Sequence, residues 1–234
     1  MNLRVISFNI HKGYNLLKRR YSLSVVRELL ETYNPDLVLL QELHGLHPKA
    51  HLGEKSPLEE LADKHWPFYS FGVNSVYGSG FHGNAIISRY PIKTWNNLDL
   101  STNPLERRGL LHAQVDLQMA PPLHVLCTHL NLTPPGQYRQ AQIIMENVQS
   151  FDEDARVILG GDFNDWSGGV GRRIIKDSRF QRIERMRSFP SYFPLLCLDG
   201  FFYRGLEVLK SNLIKDFSHS SDHLPILVDC LFPV

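Results

Sequence analysis

The feature that most constrains this chain is a recurring junction in which a short apolar run, rich in β-branched residues and leucine, stops at a polar side chain. Asn9 follows Val5-Ile6-Ser7-Phe8, and Gln41-Glu42 follows Leu37 to Leu40. His129 follows Val125-Leu126-Cys127-Thr128, and Asp162-Phe163-Asn164-Asp165 follows Val157 to Leu159 and two glycines. Asp222-His223 stands before Leu224-Pro225 and the last apolar run. Runs this short read as strands, and the unbroken apolarity of Leu37 to Leu40 is what a strand covered on both faces requires. One polar residue after a strand is ordinarily a turn or a cap. Five such junctions carrying carboxylates, amides and imidazoles point instead to strands that end at a common ligand site.

Between these junctions the pattern predicts many strands and few helices. Leu3 to Phe8 opens as a strand. Ser22 or Ser24 caps a helix with Leu23, Val26, Leu30 and Tyr33 on one face, ended by Asn34-Pro35. A short helix is expected over residues 57 to 65. Consecutive strands follow at Phe68 to Val73, Asn84 to Ser88, Ile92 to Leu100, Gly109 to Leu117 and Leu123 to Leu130. Gly136 to Ser150 reads as an amphipathic helix with Tyr138, Ala141, Met145 and Val148 inward, and three further strands lie near 197 to 204, 206 to 213 and 226 to 231. No linker or low-complexity stretch divides residues 1–234, so one α/β domain is expected, with two sheets packed together and helices outside. Two tripeptide echoes, Ser7-Phe8-Asn9 with Asp162-Phe163-Asn164 and Thr128-His129-Leu130 with Asp222-His223-Leu224, suggest that the two sheets are related.

Composition narrows the chemistry. Net charge is +1 with histidine neutral, which excludes a strongly basic nucleic-acid module but not a local basic patch. Cys127, Cys197 and Cys230 are scattered and odd in number, with neither a disulfide framework nor zinc spacing. No apolar run approaches the ~20 residues of a membrane span, and the N-terminal residues read as a strand rather than a signal peptide. A cytoplasmic location and no obligate protein partner are the expectations. The polar junctions supply acidic oxygens (Glu42, Asp162, Asp222), amides (Asn9, Asn164) and imidazoles (His129, His223). Oxygen ligands suit Mg²⁺ or Mn²⁺. Amides and histidines beside a hard cation suit a charged phosphoryl transition state.

The residues that carry this pattern also resemble a known family. Ser7-Phe8-Asn9-Ile10, Leu40-Gln41-Glu42, Gly83-Asn84-Ala85-Ile86-Ile87-Ser88-Arg89-Tyr90-Pro91, Thr128-His129-Leu130, Gly161-Asp162-Phe163-Asn164 and Ser221-Asp222-His223-Leu224-Pro225 occur in the order found in the endonuclease/exonuclease/phosphatase superfamily of metal-dependent phosphoesterases. The chain is most similar to a small bacterial YbhP-like branch with Asn-x-His-Lys-Gly at Asn9 to Gly13 and Gly-Asp-Phe-Asn-Asp-Trp at Gly161 to Trp166. The resemblance implies a DNase I-like, four-layered α/β sandwich with two mixed β-sheets face to face. It implies Glu42 as main metal ligand with Asn9 beside it and Asp222 as an outer or second-site ligand. Asp162 would position or activate the attacking water, Asn164 would donate to phosphoryl oxygens, and His223 would hydrogen-bond the scissile phosphate, oriented by Asp199. His129 would contact the phosphate or help the leaving group. Asn84, Arg108, His11 and Lys12 are the candidate substrate contacts. The family usually carries a basic residue two positions before the aspartate matched to Asp199, and here that residue is Cys197.

The substrate is less legible. Lys12, Lys18, Arg19 and Arg20 follow the first junction, and Arg172, Arg173, Lys176, Arg179, Arg182, Arg185 and Arg187 follow the fourth, diluted by Asp177 and Glu184. Such runs form solvated faces or, beside catalytic strands, a rim for anions. Gly72 to Gly83 reads as a flexible loop or surface hairpin, in which Tyr77, Phe81 and His82 could stack on a base or slide against a lipid. The apolar stretch Phe189 to Leu196 is either buried under the site or a surface for nucleobases or acyl chains; exposure would favour membrane contact. The leading expectation is a Mg²⁺- or Mn²⁺-dependent nuclease-like phosphodiesterase. The alternatives are a phospholipid or phosphometabolite phosphodiesterase or phosphatase, and a catalytically silent binding module of the same fold.

Overall fold

Pairing of the apolar runs builds two six-stranded mixed sheets in the computed structural model, which describes residues 1–15, 20–21, 23–45, 56–62, 64–77, 80–118, 121–176 and 179–232. The first sheet has the order β13 (Glu207–Leu213), β14 (Ile226–Leu231), β1 (Asn2–Asn9), β4 (Leu37–His44), β6 (Gly80–Ser88) and β5 (Phe68–Tyr77). The second has the order β11 (Gln181–Arg182), β12 (Asp199–Arg204), β10 (Arg156–Asp162), β9 (Leu123–His129), β8 (Gly109–Val115) and β7 (Ile92–Asp99). β2 (Tyr14–Asn15) and β3 (Arg20–Tyr21) pair antiparallel as a separate two-stranded sheet.

Alternation along each strand sorts side chains between two interfaces. Val5, Leu37 and Leu39 point inward and meet Leu111, Val125 and Ile158 of the opposite sheet. Their neighbours Ile6, Phe8, Val38 and Leu40 point outward onto α1 (Leu23–Tyr33) and α2 (Pro57–Leu61). On the other side Leu126, Val157 and Leu159 pack against α3 (Pro134–Gln149) and α4 (Gly169–Lys176). The result is the expected four-layered sandwich. No described helix is long and apolar enough to cross a membrane.

Each sheet has one parallel pair at its centre, β1 with β4 and β10 with β9, and its other pairings are antiparallel. Across the sandwich β1 faces β10 and β4 faces β9. The parallel pairs therefore end together: Asn9 is level with Gln41, and Asp162 is level with both His129 and Asp199. Of the two tripeptide echoes, the first joins equivalent strands, offset by two residues, and the second does not follow this relation. Asn9 and Asp162 close equivalent strands, but His129 on β9 is the counterpart of the Gln41-Glu42 end of β4. His223, ahead of β14, is the counterpart of Asp199 at the start of β12.

One element differs from expectation, and two open readings are decided. The helix expected over 57 to 65 stops at Leu61, because Ala62 turns to an extended conformation. The run of arginines after the fourth junction includes α4, whose Val170 and Ile174 are buried while Arg172 and Arg173 stay exposed. Gly72 to Gly83 is largely strand: β5 continues to Tyr77 and β6 starts at Gly80, with a register shift between Val73 and Ser75. A Cβ on Gly83 would lie 1.8 Å from the Gly72 carbonyl oxygen, so this glycine serves a close backbone approach. Residues 78–79, Ser22, Lys18, Arg19 and Asp177, and the side chains of Arg20 and Tyr77, lie outside the described residues.

Candidate active site

Local backbone devices turn the junction residues toward one another. β4 bulges against β6 between Leu40 and Leu43, and Glu42 sits there at φ 58°. A left-handed glutamate costs on the order of 1 kcal/mol or more, and the bulge re-aims its carboxylate out of the sheet alternation. Gly161 has φ 153°, and a Cβ there would lie 1.9 Å from the Thr128 carbonyl oxygen. Only glycine lets β10 approach β9 this closely and deliver Asp162 beside His129. Asn164 at φ 49° folds back so that its N–H donates to Asp162 Oδ1 at 2.9 Å, and its side-chain amide donates to the Leu130 carbonyl at 3.0 Å.

Asp162 is the hub. Its Oδ2 accepts from Asn9 Nδ2 at 3.0 Å and lies 3.4 Å from His129 Nε2 and 3.7 Å from His223 Nε2. Beyond it, His129 Nδ1 is 3.7 Å from Glu42 Oε1, and His223 Nδ1 is 2.8 Å from Asp199 Oδ2. Ser188 Oγ donates to the same Asp199 oxygen at 2.5 Å. Asp222 Oδ2 is 3.2 Å from His11 Nδ1, and the His11 N–H donates to Asn9 Oδ1 at 3.0 Å. Thus Asn9, His11, Glu42, His129, Asp162, Asn164, Asp199, Asp222 and His223 gather at one end of the two sheets. Lys12 follows His11 in a kinked turn at φ 59° and is exposed.

The two histidines are tuned in opposite directions. Burial pushes His129 down to about 3, reinforced by the Arg108 cation and by His223 against the pull of Asp162. Burial also works against protonation of His223, but the Asp199 and Asp162 carboxylates and the hydrogen bond to Asp199 overcome it and raise the group to about 10. At neutral pH His129 is an uncharged imidazole and His223 an imidazolium with two donors. This pairing of neutral and charged imidazoles against carboxylates is typical of sites that handle protons and anions.

Arg108 is mostly buried at the edge of this region, with Nη2 3.6 Å from Glu106 Oε1. Its charge and that of Lys12 also hold His82 low, behind the larger effect of burial. Asn84 stands apart from the cluster's side-chain contacts: it is fully buried, and its amide donates to the carbonyls of Gly109 at 3.0 Å and Cys127 at 3.3 Å, bracing one sheet against the other. Several supports were not singled out from the sequence. Ser221 Oγ donates to the Asn9 carbonyl at 2.7 Å, and Gln137 on α3 donates to the carbonyls of Asn131 and Asn164 at 2.9 and 2.8 Å. Gln41 is buried with its amide 3.2 Å from Cys127 Sγ. Gln41 and Ser221 stand in the motifs, but their bracing role does not show there, since Cys127 and Asn9 are distant in the chain.

The donors present suit a hard metal ion. Ligating atoms of Asp162, Asp199 and His223 all lie within 4.8 Å of one another, the one such group found among the described residues. As an imidazolium paired with Asp199, however, His223 has no free lone pair, so the oxygen donors carry the fit. Glu42, Asn9 and Asp222 add oxygen donors alongside. Asp199 is already engaged by Ser188 and His223, whereas the Glu42 carboxylate has only the 3.7 Å contact to His129 among the described residues.

A family model described as the Endonuclease/Exonuclease/phosphatase family matches residues 6–223. The chain belongs to this family. YbhP of Escherichia coli (strain K12) is 33% identical over 239 residues, 96% of this chain and 94% of that protein. Among solved structures of the family fold, an endonuclease/exonuclease/phosphatase from Beutenbergia cavernae superposes with a TM-score of 0.82 at 22% identity, covering 99% of this chain and 72% of that one. D. rerio TDP2, complexed with a single strand DNA product, superposes with a TM-score of 0.73 at 20% identity, covering 98% of each chain. The endonuclease/exonuclease/phosphatase sandwich is thus the fold of this chain, and its name is that of phosphoester chemistry.

Proposed function

We propose that this protein is a Mg²⁺- or Mn²⁺-dependent phosphodiester hydrolase. The observation that carries this reading is the hub at Asp162, where side chains from the first, third and fifth junctions converge on one carboxylate oxygen at 3.0, 3.4 and 3.7 Å. Glu42, with Asn9 and Asp222, would hold the metal. A bound divalent ion supplies neutralisation of the phosphate and polarisation of the P–O bond. Asp162 positions the attacking water and receives its proton. His223, kept as an imidazolium by Asp199, directs its Nε2 proton at a phosphoryl oxygen where charge grows. Asn164 and His129 line the same phosphate, with His129 set to assist the leaving group. His11, Lys12 and Arg108 meet the rest of the anion, and Asn84 holds the backbone behind them.

Two substrate classes each have an observation in their favour. The structural likeness to TDP2 with its single strand DNA product supports a nucleic-acid diester. Exposure of Tyr192, Phe193 and Leu195 supports a lipid diester. A panel of single- and double-stranded oligonucleotides, a phospholipid, an inositol phosphate and an aryl phosphodiester, run with Mg²⁺, Mn²⁺ or EDTA, tests the reading. Hydrolysis of one class, abolished by EDTA and by Asp162→Asn, is expected. Metal-independent turnover, or full activity in Asp162→Asn, would overturn it.

A further inference from the structure

The segment between β11 and β12 is pinned to the reacting side chains at its base and bare at its tip. Ser188 donates to Asp199, and the Phe189 ring lies 5.0 Å from the His223 ring. Ser191 donates its N–H to the Asp222 carbonyl at 2.8 Å and its hydroxyl to the Ser221 carbonyl at 2.6 Å. Past these anchors Tyr192, Phe193 and Leu195 are 77%, 65% and 55% exposed. Trp166, two residues beyond Asn164, is 59% exposed. Arg185 ties the two loops together, donating to the carbonyls of Asp165 at 2.7 Å, Trp166 at 3.4 Å and Cys197 at 3.5 Å. Single exposed apolar residues are ordinary. A run of them rising from the site wall, with a tryptophan on the adjoining loop, marks an interaction surface.

The surroundings indicate the chemistry of the partner. A Cβ at Gly168 would lie 2.7 Å from Arg185 Nη1 and 3.1 Å from Arg172 Nη1, so two guanidinium groups crowd the turn that carries Trp166. Arg187, exposed, precedes Ser188. The nearby acids offset this in part: Asp165 accepts from the backbone N–H groups of Val170 and Gly171, Glu184 is exposed, and at the base of the segment Asp199 faces His223 and Asp222 faces His11. Aromatic and aliphatic side chains backed by arginines match an anionic bilayer surface. The apolar tips enter the acyl boundary, Trp and Tyr sit at headgroup level, and the cations meet phosphates. A single-stranded nucleic acid would use the arginines and the aromatic faces, but Leu195 offers it no ring to stack on.

We propose that Trp166, Tyr192, Phe193 and Leu195 form a docking ridge for an anionic phospholipid surface, which would bring a lipid phosphodiester headgroup to the site. The delivery of substrate rests on the phosphodiesterase reading, whereas the docking itself does not. Flotation of the full chain in EDTA with vesicles of equimolar phosphatidylglycerol and phosphatidylcholine, or of phosphatidylcholine alone, tests it. The protein should float with the anionic vesicles and not with the zwitterionic ones, and Asp162→Asn should float equally well. The triple variant Tyr192→Ser/Phe193→Ser/Leu195→Ser should bind at least ~10-fold more weakly while keeping the wild-type melting temperature. If it fails to fold, Phe193→Ser alone should bind several-fold more weakly. In a Trp95→Phe background, Trp166 emission should shift to the blue on anionic vesicles. Wild-type protein left unbound, equal flotation with both vesicle types, or folded ridge variants that float like wild type would overturn the proposal. So would oligonucleotide binding that the ridge variant loses, without any vesicle binding. Anionic vesicle binding without hydrolysis of any diester would leave the ridge standing and remove the phosphodiesterase reading.

Discussion

Asp199 shows how much of this site depends on a residue that need never touch substrate. Its carboxylate holds His223 Nδ1 at 2.8 Å, sustains the imidazolium to about pH 10, and is itself held by Ser188. On the proposed mechanism, in which the His223 proton meets a phosphoryl oxygen in the transition state, Asp199→Asn should lower kcat by ~10²-fold with little change in KM. The basic limb of the pH–rate profile should also move toward lower pH, since His223 then loses its proton earlier. A kcat loss with an unmoved limb would make Asp199 merely structural. At Glu42 the expected signature is different: Glu42→Gln should raise the metal concentration for half-maximal activity by ~10-fold or more, measured by metal titration. Unchanged metal dependence would remove Glu42 from the ligand set. Burial pushes the Cys127 and Cys230 thiols up to about 12, so both stay protonated at neutral pH.

At the scale of elements, the site depends on two backbone arrangements. Asp165 caps α4 from the preceding loop, accepting the N–H groups of Val170 at 3.1 Å and Gly171 at 2.9 Å. Asp165→Ala should destabilise the protein by ~1–2 kcal/mol in urea denaturation and loosen the turn that carries Trp166. Gly161→Ala meets the Thr128 carbonyl and should cost at least ~1–3 kcal/mol, with loss of activity as Asp162 shifts from His129. A variant with wild-type midpoint and rate would show that the β9–β10 approach is less tight than 1.9 Å implies. The strands themselves were legible because apolar runs and alternation are local signals. The extension of β5 and β6 through the glycine-rich stretch was not, because strand pairing there is decided by the neighbouring backbone rather than by residue preference.

For the molecule as a whole, stability should depend on pH through its buried histidines. The His112 and His124 rings stack on each other on the outer face of the second sheet, with ring nitrogens 3.0 Å apart and Phe151 tilted against both, and burial lowers both, His112 to about 4. With His129 lowered to about 3, these groups contribute stability that is full above the unfolded value near 6.5 and is lost as pH falls toward 4 and 3. His223 acts in the opposite sense: its contribution is full below about 6.5 and is lost as pH rises through about 10. Urea midpoints of the metal-free protein should therefore fall on both sides of neutrality. His112→Asn should flatten the acid limb, and an unchanged acid limb would show that this pair titrates as in the unfolded chain. Between the sheets, Leu39→Ala should cost ~2–5 kcal/mol, as a fully buried core truncation does.

What the sequence alone determined was the set of strands and the chemical types at their ends. Both are properties of short windows: an apolar run must be covered, and a carboxylate, amide or imidazole at its end must meet water or a ligand. Asn9, Glu42, His129, Asp162, Asn164 and His223 were all recognisable in this way, and the family motifs in their order implied the two-sheet sandwich. Only the tertiary structure decided the relations among them. Parallel pairing with β9 set Asp162 level with His129, and antiparallel pairing with β12 set it level with Asp199, which overruled the second tripeptide echo as a guide to equivalent positions. The opposite protonation of His129 and His223 comes from which charges surround each ring once water is removed. Whether Tyr192 and Phe193 lie in the core or at the surface also waited on the fold, because burial is fixed by distant anchors such as Asp222 and Ser221 and not by the hydrophobicity of the segment.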